Sequence, residues 1–147
     1  MSTASYYGTS YTVAVNSPTI ENLLKAAVWG GNVKVQTDSF TATAGDTGDA
    51  GSLIYIGKLP ANSIPLMVSI HSDGAVTWTG TIGWSGNADA LGDFAAFSGA
   101  GSQLTGPGYS ESYTALTQDT AVYITTATQA IASGDSISTQ IFYVNGG

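Results

Sequence analysis

The one histidine of the chain, His71, lies where it could take part in acid–base chemistry. Ser69, His71 and Asp73 recur at every second position, so on a β-strand they would share one face and offer a nucleophile, a base and an orienting acid. Neighbours of this kind stand roughly 6.6 Å apart at their α-carbons and project in parallel, whereas a catalytic triad needs convergent groups. No Gly-x-Ser-x-Gly turn exposes the serine. We therefore interpret the stretch as a polar outer face, expect no catalytic residues, and predict that the chain is not an enzyme.

Acidic side chains gather in two loop-like stretches that could hold an ion. Asp46 and Asp49 lie in one stretch, and Asn87, Asp89 and Asp93 lie in the other. Calcium prefers clustered oxygen ligands on a flexible loop, but the spacing does not match the regular Asp-x-Asp-x-Asp-Gly loop with a distal glutamate. A simpler interpretation is that Asp89 caps a short helix and the other acids are solvated. We expect no metal, and an ion near Asp89 and Asp93 stays an open alternative.

Zinc, iron and nucleotide sites lack their usual residues. The chain has no cysteine and a single histidine, and structural zinc and most iron sites are built from these two residue types. Its glycine-rich turns are not followed by the Lys-Ser/Thr pair of a phosphate-binding loop. The sequence therefore predicts no cofactor.

Aromatic residues are the stronger candidates for contacts with a partner. Adjacent tyrosines in a small, polar N-terminal stretch are typical of a docking anchor, because tyrosine is enriched in interface cores. A tryptophan beside a Gly-Asn turn could stack on a sugar or a protein, whereas Trp78 fits a core position. The predicted partner contacts are the N-terminal segment and the Ser98–Tyr109 loop, with the following aromatic residues: Tyr6, Tyr7, Tyr11, Trp84 and Tyr109.

Length and charge exclude several classes of function. The chain has 147 residues, 3 Lys+Arg against 10 Asp+Glu, and a formal net charge of −7. A protein that tracks nucleic acid needs several cations to displace counterions from phosphates, so nucleic acid is not a predicted partner, and an anionic membrane surface is disfavoured for the same reason. No apolar run of transmembrane length and no signal peptide is visible.

Alternating hydrophobic residues and turn residues predict an all-β fold of about eight strands. The strand over Val33–Thr43 switches its apolar side midway, which is typical of a bulge or a sheet edge. This pattern favours an antiparallel β-sandwich that is jelly-roll-like. The predicted strands cover residues 11–15, 33–43, 53–59, 64–70, 76–84, 121–126 and 137–144.

The remaining stretches predict a short helix, a turn-rich segment and the domain boundary. Pro18 suits a first helical position, and apolar residues then follow at helical spacing, so we expect one short helix near residues 18–29. Residues 88–97 have short helical character, and residues 98–102 have the composition of an exposed loop. The predicted organisation is an N-terminal arm and first strand over residues 1–15, followed by a single β-sandwich domain over residues 16–147.

Several short motifs from residue 28 onward resemble a family of small virion proteins of tailed bacteriophages, of the head decoration or cement type. The pieces that carry the resemblance are residues 30–35 (GGNVKV), 53–60 (LIYIGKLP), 82–83 (IG) with 88–91 (ADAL), and 139–146 (TQIFYVNG).

The resemblance implies a non-enzymatic structural role. Proteins of this kind commonly have β-sandwich folds, sit on the outside of the assembled capsid, and clamp neighbouring major capsid subunits, often as trimers. It thus implies the phage major capsid protein as a partner, a homotrimer, and a location on the capsid exterior after synthesis in the host cytoplasm. The alternatives are a head-to-tail connector, a tail or fibre component, and a carbohydrate- or receptor-binding module that stacks sugars on Trp84 or loop tyrosines.

Overall fold

A computed structural model of the chain describes residues 33–44, 48–108 and 114–145. Within these ranges it contains eight β-strands and no helix, and the strands form two four-stranded antiparallel sheets. This arrangement confirms the predicted all-β antiparallel sandwich. The strands are β1 (Val33–Thr41), β2 (Leu53–Leu59), β3 (Ser63–Ser72), β4 (Thr79–Gly83), β5 (Asp93–Phe94), β6 (Gly101–Thr105), β7 (Thr120–Ala127) and β8 (Ser136–Asn145).

The strands pair as if one long hairpin had been rolled up. β1 pairs with β8, β2 with β7, β3 with β6, and β4 with β5. Because β8 also pairs with β3 and β7 with β4, sheet A has the order β1-β8-β3-β6 and sheet B the order β2-β7-β4-β5. This strand order is jelly-roll-like. β1 lies near β2 and β5 lies near β6, so the sheets approach each other along both sides.

Two glutamine side chains fasten these two sides, and we call them the carboxamide clasps. Gln36 on β1 donates from Nε2 to the carbonyl oxygen of Lys58 on β2 at 3.0 Å, and its Oε1 accepts from the Lys58 backbone N–H at 2.7 Å. Gln103 on β6 makes the same pair of bonds with Ala95, which follows β5, at 2.8 and 2.9 Å. Each carboxamide thus takes the place of a peptide group from a neighbouring strand. Gly57 makes room for the first clasp, since a β-carbon there would collide with the Gln36 amide.

The inner faces of the sheets share one hydrophobic core around Trp78. This side chain has no exposed surface, and its ring packs edge-on against Phe94 with 5.7 Å between centroids. Its indole N–H donates to Oδ2 of the buried Asp135 at 2.8 Å, and the same oxygen accepts from the Ala132 backbone N–H at 2.9 Å. An indole N–H without a partner would cost free energy in the core, so Asp135 allows Trp78 to be buried. The prediction that Trp78 is a core residue is confirmed.

Most predicted strands are present, and of the two features predicted for Val33–Thr43, a bulge or a sheet edge, the structure shows the sheet edge. β2 has the predicted bounds, and β3, β7 and β8 extend the predicted strands by one or two residues at each end. β1 keeps a regular register with β8 along its whole length, whereas register shifts occur in β2 and β3. β1 lies at the edge of sheet A and is mostly exposed on both faces. Apolar residues can therefore change from one face of β1 to the other without a bulge, because neither face of the strand is fully buried in the core.

The segment between β4 and β6 differs from the sequence prediction. Residues 88–97 form a turn and β5 instead of a short helix, because the Leu91 backbone N–H donates to the carbonyl of Ile82 and Gly92 has a φ of +90°. The expectation that Asp89 caps a short helix is therefore wrong: Asp89 lies in this turn, where its backbone carbonyl accepts from the Gly92 N–H. The expected loop at residues 98–102 ends in β6, a strand of small and polar residues at the edge of sheet A. Such residues carry little strand signal of their own.

Three sequence predictions lie outside the described residues. These are the helix near residues 18–29, the strand over residues 11–15, and the arm over residues 1–15. Among the described ranges, no helix has the length and apolar character needed to cross a membrane.

Candidate binding surfaces

His71 forms a hydrogen-bonded chain on the outer face of sheet A. Its Nε2 lies 2.9 Å from Oδ1 of Asp73, and its Nδ1 lies 3.0 Å from Oγ of Ser102 on β6, the cross-strand partner of His71. Sequence reasoning paired the ring with Ser69 on the same strand, and the structure supplies Ser102 instead. The connectivity matches that of a Ser-His-Asp triad, but the side chains of His71 and Asp73 are 48% and 83% exposed. Preorganised surroundings that exclude water are the main source of catalytic power, and these side chains lack them. We therefore interpret the Ser102–His71–Asp73 hydrogen bonds as a structural link between β3 and the edge strand β6.

The acidic residues considered as calcium ligands are spread over separate elements. Asp93 lies in β5, and Asp89 lies in the preceding turn, where its carbonyl accepts from the Gly92 backbone N–H at 2.8 Å. The part of the chain that the structure describes holds no group of three or more His, Cys, Asp or Glu residues arranged for a metal ion. Asp46 lies outside it.

The outer face of sheet A is apolar at one end and polar at the other. On β1, Val33 is 56% and Val35 is 47% exposed. Register places Val35 beside Phe142 of β8, and Phe142 beside Met67 of β3, both half-buried. Farther along, the same face carries hydroxyl and amide side chains such as that of Gln140. We call the first part the apolar end of sheet A; it consists of Val33, Val35, Ile64, Met67 and Phe142.

A second surface, which we call the aromatic groove, lies on the outer face of sheet B. It has a volume of about 410 Å³. Tyr55 of β2 and Tyr123 of β7 are cross-strand partners whose rings meet edge-on, with 5.4 Å between centroids. Tyr55 is 61% exposed, so one large ring is open to solvent. The lining residues are Tyr55, Trp84, Ser85, Leu116, Thr117, Gln118, Asp119, Thr120, Ala121 and Tyr123.

Backbone contacts build both walls of the aromatic groove. On one wall, Trp84 and Asn87 exchange two backbone hydrogen bonds of 3.0 Å, which close a tight turn next to β4. Gly83 allows this turn to fold back, because a β-carbon there would collide with the Asn87 and Ala88 backbone. On the other wall, the Leu116 backbone N–H donates to the carbonyl of Ser63 at 2.8 Å. The groove is thus built on strands and on short segments anchored to them.

Asp119 is held in one orientation at the rim of the groove. Its Oδ1 accepts from the Ala61 backbone N–H at 3.0 Å, and its Oδ2 lies 3.8 Å from Nζ of Lys58. The side chains of Lys58 and Asp119 are 66% and 61% exposed, so the ion pair adds little stability. Its effect is to fix where the carboxylate points.

The structure describes one of the five aromatic residues predicted to contact a partner. Trp84 is half-buried, packs against the core, and lines the aromatic groove. Tyr6, Tyr7, Tyr11 and Tyr109 lie outside the described residues, so their role stays a prediction. Sequence reasoning missed Tyr55 and Tyr123, although their outward positions follow from the alternation of β2 and β7. It also missed the apolar end of sheet A, which depends on the register of three strands that are distant in sequence.

Comparisons with known proteins found likenesses among solved structures alone. No protein family matches the chain, and no curated protein matches it. A chain in the capsid asymmetric unit of cyanophage Pam1 is 28% identical, with a TM-score of 0.54 over 79% of this chain and 86% of that chain. A chain in the capsid of Ralstonia phage GP4 is 23% identical, with a TM-score of 0.60 over 80% of this chain and 86% of that one.

A third likeness comes from a bacteriophage of Helicobacter pylori. A chain in the acidic stable capsid structure of phage KHP30 is 10% identical, with a TM-score of 0.55 over 78% of this chain and 89% of that chain. At these identities the GP4 and KHP30 likenesses concern the fold alone, whereas the Pam1 chain also shares more than a quarter of the aligned residues.

Proposed function

We propose that this chain is a structural protein of a bacteriophage virion and, more narrowly, a decoration or cement protein. In this role it lies on the outside of the capsid and holds neighbouring major capsid subunits together. The observation that carries the proposal is the likeness of the whole β-sandwich to chains from three phage capsids, each match covering at least 78% of both chains. These neighbours support a structural role in a virion and association with other capsid proteins.

The size of the matched chains supports a separate accessory subunit. This chain covers 86–89% of each of them, so they are small proteins of comparable length. A single β-sandwich of this size encloses one core and leaves two broad outer faces for contacts with other proteins. These properties suit a subunit that binds to the surface of a shell.

The apolar end of sheet A is the surface that we assign to the contact with the shell. Val33 and Val35 are about half exposed and lie beside further apolar side chains on β3 and β8. Contiguous exposed apolar patches on a protein surface commonly mark interaction sites. Burial of apolar area is also insensitive to charge, which suits a chain with a net charge of −7.

The proposed mechanism is stabilisation by preferential binding. A protein that binds the assembled shell and not its free subunits shifts the equilibrium towards the shell, by an amount that grows with its affinity. If the chain acts as a homotrimer, three modest contacts combine into one strong attachment, because the second and third contacts form at a high effective concentration. No chemical step is required of any side chain.

The test uses phage particles that lack this protein and are then supplied with the purified full chain. Wild-type protein should bind at a fixed number of symmetric positions on the head exterior, and it should raise the temperature at which the particles release their DNA. Val35→Asp places a charge in the apolar end of sheet A and should weaken particle binding at least tenfold, since burial of an unpaired carboxylate is strongly unfavourable. Thr37→Asp, two residues along the same face, is the matched control and should bind normally.

Imaging of the reconstituted particles separates the proposal from its alternatives. Density for the chain at the portal vertex or along the tail would identify a connector or a tail component and would contradict the decoration role. Equal binding by wild type and Val35→Asp would show that another surface makes the contact.

A further inference from the structure

We propose that the aromatic groove on sheet B is a binding site for a neutral oligosaccharide. The site is separate from the apolar end of sheet A, since the two surfaces lie on the outer faces of different sheets. Its cavity of about 410 Å³ falls in the size range of small-molecule sites, about 300–1,000 Å³. The proposal therefore concerns a further activity of the chain and does not depend on its decoration role.

Tyr55 supplies the stacking surface. Its ring is 61% exposed although it lies mid-strand, and the edge-on contact with Tyr123 sets the angle of the ring. An exposed ring supported in this way loses little conformational entropy when a ligand covers it. The face of a phenol ring carries negative π density, which attracts the polarised C–H groups on the face of a pyranose. Trp84 also lines the groove and offers a second, half-buried apolar surface.

Polar groups stand at the edge of this stacking surface, where sugar hydroxyl groups would lie. The carboxylate of Asp119 is oriented by the Ala61 backbone N–H at Oδ1 and by Lys58 Nζ, which lies 3.8 Å from Oδ2, and the side chain is 61% exposed, so its oxygens can still accept from a sugar hydroxyl. Gln118 adds an exposed carboxamide, and Thr117 and Ser85 add hydroxyl groups. Each sugar hydroxyl can both donate and accept a hydrogen bond. A mixed set of carboxylate, amide and hydroxyl groups therefore suits a sugar better than an apolar ligand.

Charge decides which ligand class fits best. The groove is lined by Asp119 and by no cation, and Lys58 reaches its rim only through the ion pair with Asp119. With a net charge of −7 on the chain, polyanions such as nucleic acid or strongly acidic glycans are repelled. A protein partner would need more buried apolar area than a groove of this size offers. A neutral sugar meets none of these penalties.

The test applies the purified full chain to an array of neutral oligosaccharides from bacterial surfaces, followed by titration calorimetry with the best-bound glycan. Tyr55→Ala and Asp119→Asn should each weaken binding about tenfold or more, equivalent to about 1.4 kcal/mol. Tyr55→Phe keeps the ring and should bind within about twofold of wild type. Leu104→Ala is the matched control, because Leu104 is 68% exposed on β6 of the other sheet, and it should bind like wild type.

Each outcome decides the proposal once circular dichroism shows that the variants are folded. Glycan binding that is lost in Tyr55→Ala and Asp119→Asn but kept in Tyr55→Phe supports it. Three results would overturn it: no neutral glycan retained on the array, binding that is equal in all four variants, or a capsid-derived peptide that occupies the groove and displaces the glycan.

Discussion

The first carboxamide clasp predicts how strongly the two sheets depend on one side chain. Gln36→Ala removes both hydrogen bonds between Gln36 and the backbone of Lys58, with N···O distances of 3.0 and 2.7 Å. Gln36→Glu has nearly the same shape and can still accept from the Lys58 N–H. It replaces the amide donor by a second oxygen, which faces the Lys58 carbonyl.

The expected losses follow from the number of bonds and their exposure. One intramolecular hydrogen bond contributes about 0.5–1.5 kcal/mol net, and both of these bonds are solvent-exposed, so water compensates in part. Gln36→Ala should therefore reduce the free energy of unfolding by about 1–2 kcal/mol. In a domain of this size that corresponds to a fall in Tm of about 3–6 °C. Gln36→Glu should cost at least as much near pH 7 and recover below pH about 4, where the protonated carboxyl regains a donor.

Urea unfolding and amide hydrogen exchange together check this reasoning. Exchange of the Lys58 backbone N–H should accelerate in Gln36→Ala and stay slow in Gln36→Glu. Gln103→Ala removes the second clasp, which shares no partner with the first, so the double variant should show the sum of the two losses within about 0.5 kcal/mol. An unchanged unfolding midpoint in Gln36→Ala, or a Gln36→Glu protein as stable as wild type at pH 7, would refute the assigned role.

Three further predictions concern the core and the outer face of sheet A. Asp135→Ala leaves the indole N–H of Trp78 without its 2.8 Å partner and should lower the free energy of unfolding by about 1–3 kcal/mol, measured by urea titration with tryptophan fluorescence. Gly80→Ala places a β-carbon 2.6 Å from Cε1 of Phe94 and should cost about 1–3 kcal/mol by overpacking, seen as a lower Tm. Wild type and His71→Ala should hydrolyse p-nitrophenyl acetate at the same background rate; faster turnover by the wild type would reveal a working triad.

Strands with clear alternation could be predicted from the sequence, and strands without it could not. The bounds of β2 were predictable because its apolar residues alternate up to Leu59, which indicates a strand, and Pro60 follows directly, which indicates a turn. β6 begins at Gly101 and Ser102, whose small side chains are typical of loops, and it forms because β3 offers it an antiparallel partner. Tertiary pairing of this kind leaves no local signal.

The binding surfaces were less predictable because they depend on register. Tyr55 and Tyr123 are 68 positions apart, and only the pairing of β2 with β7 brings their rings together. Ser102 reaches His71 for the same reason. The two clasps were missed because a glutamine that binds a distant backbone has no periodic sequence pattern. Residue composition together with the alternation of the clear strands, by contrast, was sufficient to predict the all-β fold class.

The clasps also bear on how the protein behaves at high local concentration. The outermost strand of an open sheet presents amide groups that can recruit a strand from another molecule, which is a common route to aggregation. Here the rims of the two sheets face each other, and Gln36 and Gln103 already engage backbone groups on both sides. The clasps therefore occupy backbone groups at both edges of sheet B, at Lys58 and at Ala95, with which a strand of another molecule would otherwise pair.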